Sequence, residues 1–117
     1  MTSRTDVERL GDIIDRIDRI KFAEIVLIEA EEEEDSWEEA QVAFDAILYD
    51  LLVIGEAVKS LSQSFKDQFP VTPWSQISGM RDILAHEYFR VDSKVVRATI
   101  DSPLENLKNI CLEEIEK

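Results

Sequence analysis

The sequence predicts an all-α fold, an antiparallel bundle of four to five helices, and three observations support this prediction. Apolar residues make up 44% of the 117-residue chain, and glycine and proline together number six, a composition typical of compact helical domains. Apolar side chains recur at spacings of three and four residues, without the alternation of a β-strand. Capping residues and prolines divide this pattern into helices of bundle length. We expect residues 1–117 to form a single domain.

Two long helices are predicted in the first half of the chain. The first covers about residues 5–29 and leads into the acidic segment EAEEEEDS. We interpret that segment as a solvated helix end and connection, with a docking site for a basic partner as the alternative. Asp35 or Ser36 caps the second helix, in which the apolar spacing continues unbroken over 37–65. The apolar positions of the first helix share one face: Leu10, Ile13, Ile17, Ile20 and Leu27.

The second helix is apolar on several sides around its middle, where Leu48, Leu52 and Val53 widen the stripe. Such a helix is either the central helix of the bundle or the seam of a dimer. Gly55 lies inside it at a cost of about 1 kcal/mol relative to alanine, so we expect a neighbouring backbone to approach closely there. Glu56 follows, and is either an exposed or helix-paired carboxylate or a residue near the functional site.

Three shorter helices are predicted in the second half of the chain. Thr72 and Pro73 are predicted to be the N-cap and the first residue of the third helix, which runs over about 74–88. The segment VDS at 91–93 predicts a turn and a cap before a short helix, and DSP at 101–103 predicts a cap before the last one. These helices carry their apolar residues at helical spacing: Ile77, Met80, Leu84, Val95, Val96, Ile100, Leu104, Leu107, Ile110 and Cys111.

The formal net charge of −13 argues against nucleic-acid binding, which normally uses a basic face. The charge is unevenly distributed, because residues 1–60 carry 6 Lys/Arg and 17 Asp/Glu, whereas residues 61–117 carry 7 and 9. Residues 81–97 carry four basic and three acidic side chains, and are the least acidic part of the chain. A polyanion would therefore have to bind at 81–97.

The sequence excludes several locations and kinds of site. No run of 18 uncharged apolar residues could span a membrane, and the N-terminus has no apolar signal core, so we expect a cytoplasmic protein. One histidine and one cysteine, His86 and Cys111, are too few for a zinc site, and no strained turn for a serine nucleophile is present. Cys111 is predicted to be buried. Paired carboxylates that bind Mg²⁺ remain open, and no cofactor is predicted.

The segment RDILAHEYF at 81–89 contains the only histidine of the chain. On an ideal helix Asp82 and His86 share a face, so Asp82 could fix the tautomer of the imidazole and raise its basicity. Arg81 and Tyr88 also align, but Arg81 reaches the imidazole only if its side chain bends back or the helix loosens near its end. The plain alternative is a histidine at a helix end, packed against a tyrosine.

Three segments resemble one protein family. MRDILAHEYFRVD, with the pattern R-x4-H-x-Y, resembles the signature of the HEPN superfamily and of its HepT-like branch, the toxin half of the MNT–HEPN toxin–antitoxin pairs. VIGEAVKSLS at 53–62, PVTPWSQISGMRD at 70–82 and the order of the helices are also similar to that family. The resemblance covers nearly the whole chain.

The resemblance implies an all-α bundle that forms a homodimer and acts as a metal-independent RNase, with its site in a cleft between two protomers. It implies that Arg81 and His86 are the catalytic pair and that Asp82 takes the polar position after the arginine. Tyr88 matches the tyrosine to which a partner nucleotidyltransferase, the MNT antitoxin, adds AMP. RNA is the implied substrate.

These residue types suit metal-free RNA cleavage, in which the 2′-hydroxyl attacks the neighbouring phosphate. Histidine can act as acid or base near neutral pH, and arginine stays charged and binds a phosphate through its planar fork. Tyr88 can bond a phosphate or stack on a base, and AMP on it would block the site by volume and by charge. Because each chain has one histidine, a two-fold dimer would supply the second.

Two other functions stay open. A non-catalytic module of the same fold that binds a nucleotide or a partner protein would suit the net charge of −13. A plain dimerisation adaptor would rest only on the regularly spaced helix at 37–65. The set of Arg81, Asp82, His86 and Tyr88 favours the nuclease.

Overall fold

The computed structural model describes residues 3–117, except for the side chain of Tyr88. Helices and turns connect this part of the chain, and no strand occurs in it. The all-α prediction is confirmed, with five helices of seven or more residues and one helix of a single turn. The elements, in order, are α1 (Arg4–Glu32), α2 (Trp37–Ser60), α3 (Gln63–Asp67), α4 (Trp74–His86), a 3-10 turn (Tyr88–Arg90), α5 (Ser93–Thr99) and α6 (Ser102–Glu116).

The centre of the bundle is the antiparallel pair of α1 and α2. Asp6 contacts Ser62 and Arg16 contacts Asp50, so residue numbers rise along one helix as they fall along the other. α4 packs on α2, and α6 packs on the other long helix, α1. The several apolar sides of α2 are thus covered within one chain, as expected of a central helix. The predicted apolar face of α1 is confirmed, since five residues are buried to at least 97%: Leu10, Ile13, Ile17, Ile20 and Leu27.

The prediction that the second helix continues to residue 65 is wrong, because α2 ends at Ser60. Leu61 is extended, and Ser62 caps α3 by accepting a hydrogen bond from the backbone N–H of Phe65 at 3.2 Å. The backbone N–H of Ser62 leaves the helical ladder and donates to the Asp6 carboxylate at 2.9 Å. Leu61 and Phe65 stay buried across the break, so apolar spacing could not reveal it.

The bounds predicted for the third helix are wrong by a residue or two. Pro73 is the N-cap of α4 rather than its first residue, because its ψ of 66° is not helical. At the other end the helix stops at His86, where Glu87 adopts a φ of −139° and the 3-10 turn begins. The start is anchored by Trp74, whose indole Nε1 donates to the carbonyl oxygens of Lys66 at 3.1 Å and Phe69 at 3.0 Å.

The caps predicted for the last two helices are confirmed in position. The Asp92 carboxylate accepts from the backbone N–H of Lys94 at 2.9 Å at the start of α5. Asp101 precedes α6, which has its proline in the first turn. Cys111 is fully buried as predicted, and burial raises the pKa of its thiol to about 12. No helix within residues 3–117 is long and apolar enough to cross a membrane.

Candidate functional site

The crossing of α4 over α2 brings Arg81 against Gly55. A Cβ atom added to Gly55 would lie 2.5 Å from the Cβ of Arg81 and 3.3 Å from its Cα and backbone nitrogen. Carbon atoms do not approach so closely, so any other residue at this position would push the two helices apart. The close approach predicted at Gly55 is confirmed, and the backbone that approaches is that of Arg81.

Two carboxylates hold the guanidinium of Arg81 at this crossing. Its Nε donates to Oε1 of Glu56, the residue after Gly55 on α2. Its Nη1 donates to Oδ1 of Asp82 at 3.0 Å. The Arg81 side chain is 28% exposed, against 47% for Glu56 and 57% for Asp82. Of the two interpretations of Glu56, the structure therefore supports a position beside the candidate site.

The electrostatics of this cluster follow from its hydrogen bonds. The bond from Arg81 is the main reason that the pKa of Asp82 is lowered; burial acts in the opposite direction, and the charge of Lys59 adds to the lowering. The bonds to Asp82 and Glu56 raise the pKa of the guanidinium, which therefore keeps its charge. One cation and two anions give the cluster a net charge of −1 at neutral pH.

His86 is the last residue of α4 and its side chain is exposed. Among the side chains that the structure describes, it forms no hydrogen bond or ion pair. The predicted contact of Asp82 with the imidazole is not formed, because the Asp82 carboxylate binds the guanidinium of Arg81 instead. Arg81 and His86 share one helix but do not bond to each other in the described structure.

Exposed apolar side chains occur on α4, on α5 and in the 3-10 turn between them. Ile83 is 48% exposed, Phe89 78% and Val95 55%. A shallow cavity of about 200 Å³ lies beside them, lined by residues of α4, α5 and the segment between them. Within residues 3–117, no group of three or more histidine, cysteine, aspartate or glutamate side chains could hold a metal ion.

A family model described as Ribonuclease HepT-like matches residues 10–114. The chain belongs to the HepT-like family. No solved structure gives a significant match.

Curated proteins with related sequences include three that bear nuclease names. "Putative RNase TTE0752" of Caldanaerobacter subterraneus subsp. tengcongensis is 39% identical over 72 residues, which are 62% of this chain and 64% of that protein. "Probable ribonuclease HepT" of Thermococcus cleftensis is 40% identical over 63 residues, 54% of this chain and 57% of that protein. "Gamma-glutamylcyclotransferase and putative RNase MJ0434" of Methanocaldococcus jannaschii is 31% identical over 84 residues, 72% of this chain and 38% of that protein. Each match thus spans less than two thirds of the relative.

In this HepT-like chain, Tyr88 follows the end of α4. Its backbone opens the 3-10 turn, and its side chain lies outside the described part of the structure. The alignment of Arg81 with Tyr88 was expected for one continuous helix, and α4 ends two residues before the tyrosine.

Two residues of α2 near the segment 81–89 could not be assigned to the site from the sequence. Glu56 is 25 positions from Arg81, and only its place after a helical glycine gave a signal. Lys59 follows one turn later on α2, and its charge reaches Asp82. A lone lysine on a helix has no pattern that distinguishes it from a solvated one, so only the packing of α4 on α2 could reveal its position.

Proposed function

We propose that this HepT-like chain is a metal-independent endoribonuclease, in which Arg81 and His86 form the catalytic pair. The observation that carries the proposal is the contrast between these two side chains of α4. The guanidinium is held in a half-buried position by two carboxylates, whereas the imidazole is exposed and unbonded in the described structure. A fixed cation and a free acid or base are two of the parts that metal-free RNA cleavage uses.

The proposed reaction is an internal transfer of the phosphate. A base removes the proton of the 2′-hydroxyl, the 2′-oxygen forms a bond to phosphorus, and the bond from phosphorus to the 5′-oxygen breaks. An acid gives its proton to the leaving 5′-oxygen, so the products are a 2′,3′-cyclic phosphate and a free 5′-hydroxyl. Histidine can serve in either role near neutral pH, and Arg81 would stabilise the additional negative charge that develops on the phosphate.

A homodimer completes this proposed site. One chain supplies a single histidine, while acid–base cleavage is most easily carried out by two. Ile83 on the helix of His86, Phe89 in the turn after it and Val95 on α5 are exposed, and apolar side chains are enriched in homodimer interfaces. We therefore expect the α4 helices of two copies to face each other, with RNA in the cleft between them.

The proposed regulation is by a cognate MNT nucleotidyltransferase antitoxin that adds AMP to Tyr88. An AMP group would bring a bulky anion close to the position of the RNA phosphate. Co-expression with such a partner should add the mass of AMP to the peptide that contains Tyr88. An unmodified peptide from a neutralised complex would instead indicate inhibition by simple steric blocking.

The catalytic assignment is tested by His86→Ala, with Ser75→Ala as a control at an exposed position of the same helix. Loss of the only imidazole should reduce cleavage of single-stranded RNA in EDTA by at least about 100-fold, while the far-UV circular dichroism spectrum stays helical. Ser75→Ala should cleave like the wild type. Equal cleavage by His86→Ala and the wild type would contradict the assignment.

A second candidate function is a non-catalytic HEPN-fold module that binds a nucleotide or a protein. The net charge of −13 favours it because it opposes RNA affinity. It predicts that the wild type does not cleave RNA under any condition in which the chain is folded and dimeric.

A further inference from the structure

The two carboxylates that bind Arg81 use different atoms of the guanidinium and come from different elements. Glu56 belongs to α2 and accepts from Nε, the nitrogen nearest the aliphatic chain. Asp82 is the next residue of α4 and accepts from Nη1, one of the two terminal nitrogens. An arginine side chain has five N–H donors, so these two bonds leave three for a further acceptor. All three are on the terminal nitrogens, where a phosphate binds through two oxygens.

We propose that Glu56 is a positioning residue that holds Arg81 through Nε and presents its terminal nitrogens to a phosphodiester of RNA. The inference rests on the nuclease function proposed above and assigns a role in it to Glu56. Glu56 would act only through Arg81, without contact with the reacting atoms.

The position of Glu56 is suited to this role because Gly55 precedes it. The absence of a side chain at Gly55 sets the distance between α2 and the backbone of Arg81. The neighbouring carboxylate therefore starts from a backbone position that is fixed relative to the arginine. Burial of most of the Arg81 side chain, which is 28% exposed, limits its other rotamers. A guanidinium held in this way needs less reorganisation when it binds a phosphate.

Asp82, unlike Glu56, competes with a phosphate for the terminal nitrogens of Arg81. Its carboxylate occupies a terminal nitrogen that a phosphate would use, and its side chain is 57% exposed, so it can return to water when displaced. We infer that the phosphodiester replaces Asp82 at Nη1.

Three variants that each remove one negative charge separate these roles. They are Glu56→Gln, Asp82→Asn and, as a matched control, Glu39→Gln, an exposed position of α2. Glu39 lies 17 residues before Glu56, about 25 Å along the helix. The assay is cleavage of a fluorescein-labelled single-stranded RNA oligonucleotide of mixed sequence, with kcat and KM determined separately.

Glu56→Gln should lower kcat by about 10- to 100-fold and change KM less than threefold, because the guanidinium is still present but is held only by a weaker, uncharged acceptor. Glu56→Ala should lower kcat further, since glutamine keeps an oxygen that can accept from Nε. Asp82→Asn should lower KM by about two- to fivefold, since an exposed ion pair no longer competes with RNA. Glu39→Gln should match the wild type. An unchanged kcat in Glu56→Ala would overturn the positioning role.

A measurement that needs no RNA tests whether Glu56 holds Nε of Arg81, even if the protein has no nuclease activity. The Nε–Hε signal of Arg81 in a ¹⁵N-resolved NMR spectrum, assigned by its loss in Arg81→Lys, should exchange slowly with water in the wild type. It should exchange faster in Glu56→Gln and stay slow in Asp82→Asn and Glu39→Gln. A slow signal in an inactive wild type would contradict the nuclease proposal alone. Equal exchange in the wild type and Glu56→Ala, which has no acceptor for Nε, would overturn the proposed hold.

Discussion

At the residue scale, the candidate site depends on Gly55, which has no side chain. Gly55 lies in the middle of α2, where glycine is unfavourable, and its lack of a Cβ lets the backbone of Arg81 approach. The contact atoms are Cβ, Cα and the backbone nitrogen of Arg81, none of which can rotate away. The unfavourable helix propensity of glycine is therefore offset by the close packing of α4 on α2 at this position.

Gly55→Ala should destabilise the protein although alanine favours a helix. Alanine gains about 1 kcal/mol of helix propensity, but overpacking against Arg81 costs about 1 to 3 kcal/mol, so we expect a lower free energy of unfolding in urea. Gly11→Ala is the matched control, because nothing lies within 4 Å of a Cβ at Gly11 in α1. That variant should be more stable than the wild type. Equal stabilisation by both variants would refute the steric role of Gly55.

At the scale of elements, one buried carboxylate joins the start of α1 to the break between α2 and α3. Asp6 is 3% exposed and accepts from the backbone N–H of Ser62 at 2.9 Å and from its Oγ at 2.5 Å. Ser62 uses the same hydroxyl oxygen to cap α3. Burial acts to raise the pKa of Asp6, but the hydrogen bonds from Ser62 and the charge of Lys66 lower it overall. This link ends α2 and places Phe65 in the core.

Asp6→Asn should therefore alter the pH dependence of stability. A carboxylate with a lowered pKa in the folded state stabilises the protein above its unfolded pKa of about 4, and this contribution disappears as the pH falls through the folded value. We expect Asp6→Asn to be about 1 to 3 kcal/mol less stable than the wild type at pH 7, with a smaller difference at pH 3. Urea unfolding at both pH values measures this, with the exposed Asp12→Asn as the control. A difference that does not change with pH would contradict it.

At the scale of the whole molecule, the acidic and the basic parts of the chain lie on different elements. Glutamates crowd the connection between α1 and α2, whereas Arg81, His86 and Arg90 lie on or just after α4. Exposed apolar side chains occur in both places, including Phe22 on α1, which is 70% exposed, and Phe89 in the 3-10 turn, which is 78% exposed. Two surfaces are thus candidates for the contact between copies.

The proposed dimer is tested by a charge at each of these phenylalanines. Phe89→Glu should convert a dimer to a monomer and abolish RNA cleavage, because it places a buried charge in the proposed interface next to His86. Phe22→Glu should leave both properties intact. Size-exclusion chromatography with light scattering measures the mass, and circular dichroism verifies the fold. If Phe22→Glu alone breaks the dimer, the interface is on α1 and α2, and the shared cleft at His86 is wrong.

The sequence by itself determined the all-α class, the inward faces of the helices and the candidate residues of the segment 81–88. These properties are local: apolar spacing shows a helix face, and Arg81 and His86 share one short segment of α4. The tertiary structure alone decided where α2 ends and which partner Arg81 takes. Both results depend on contacts between residues distant in sequence, Asp6 with Ser62 and Glu56 with Arg81. Such contacts form only when helices pack, so no spacing along the chain could encode them.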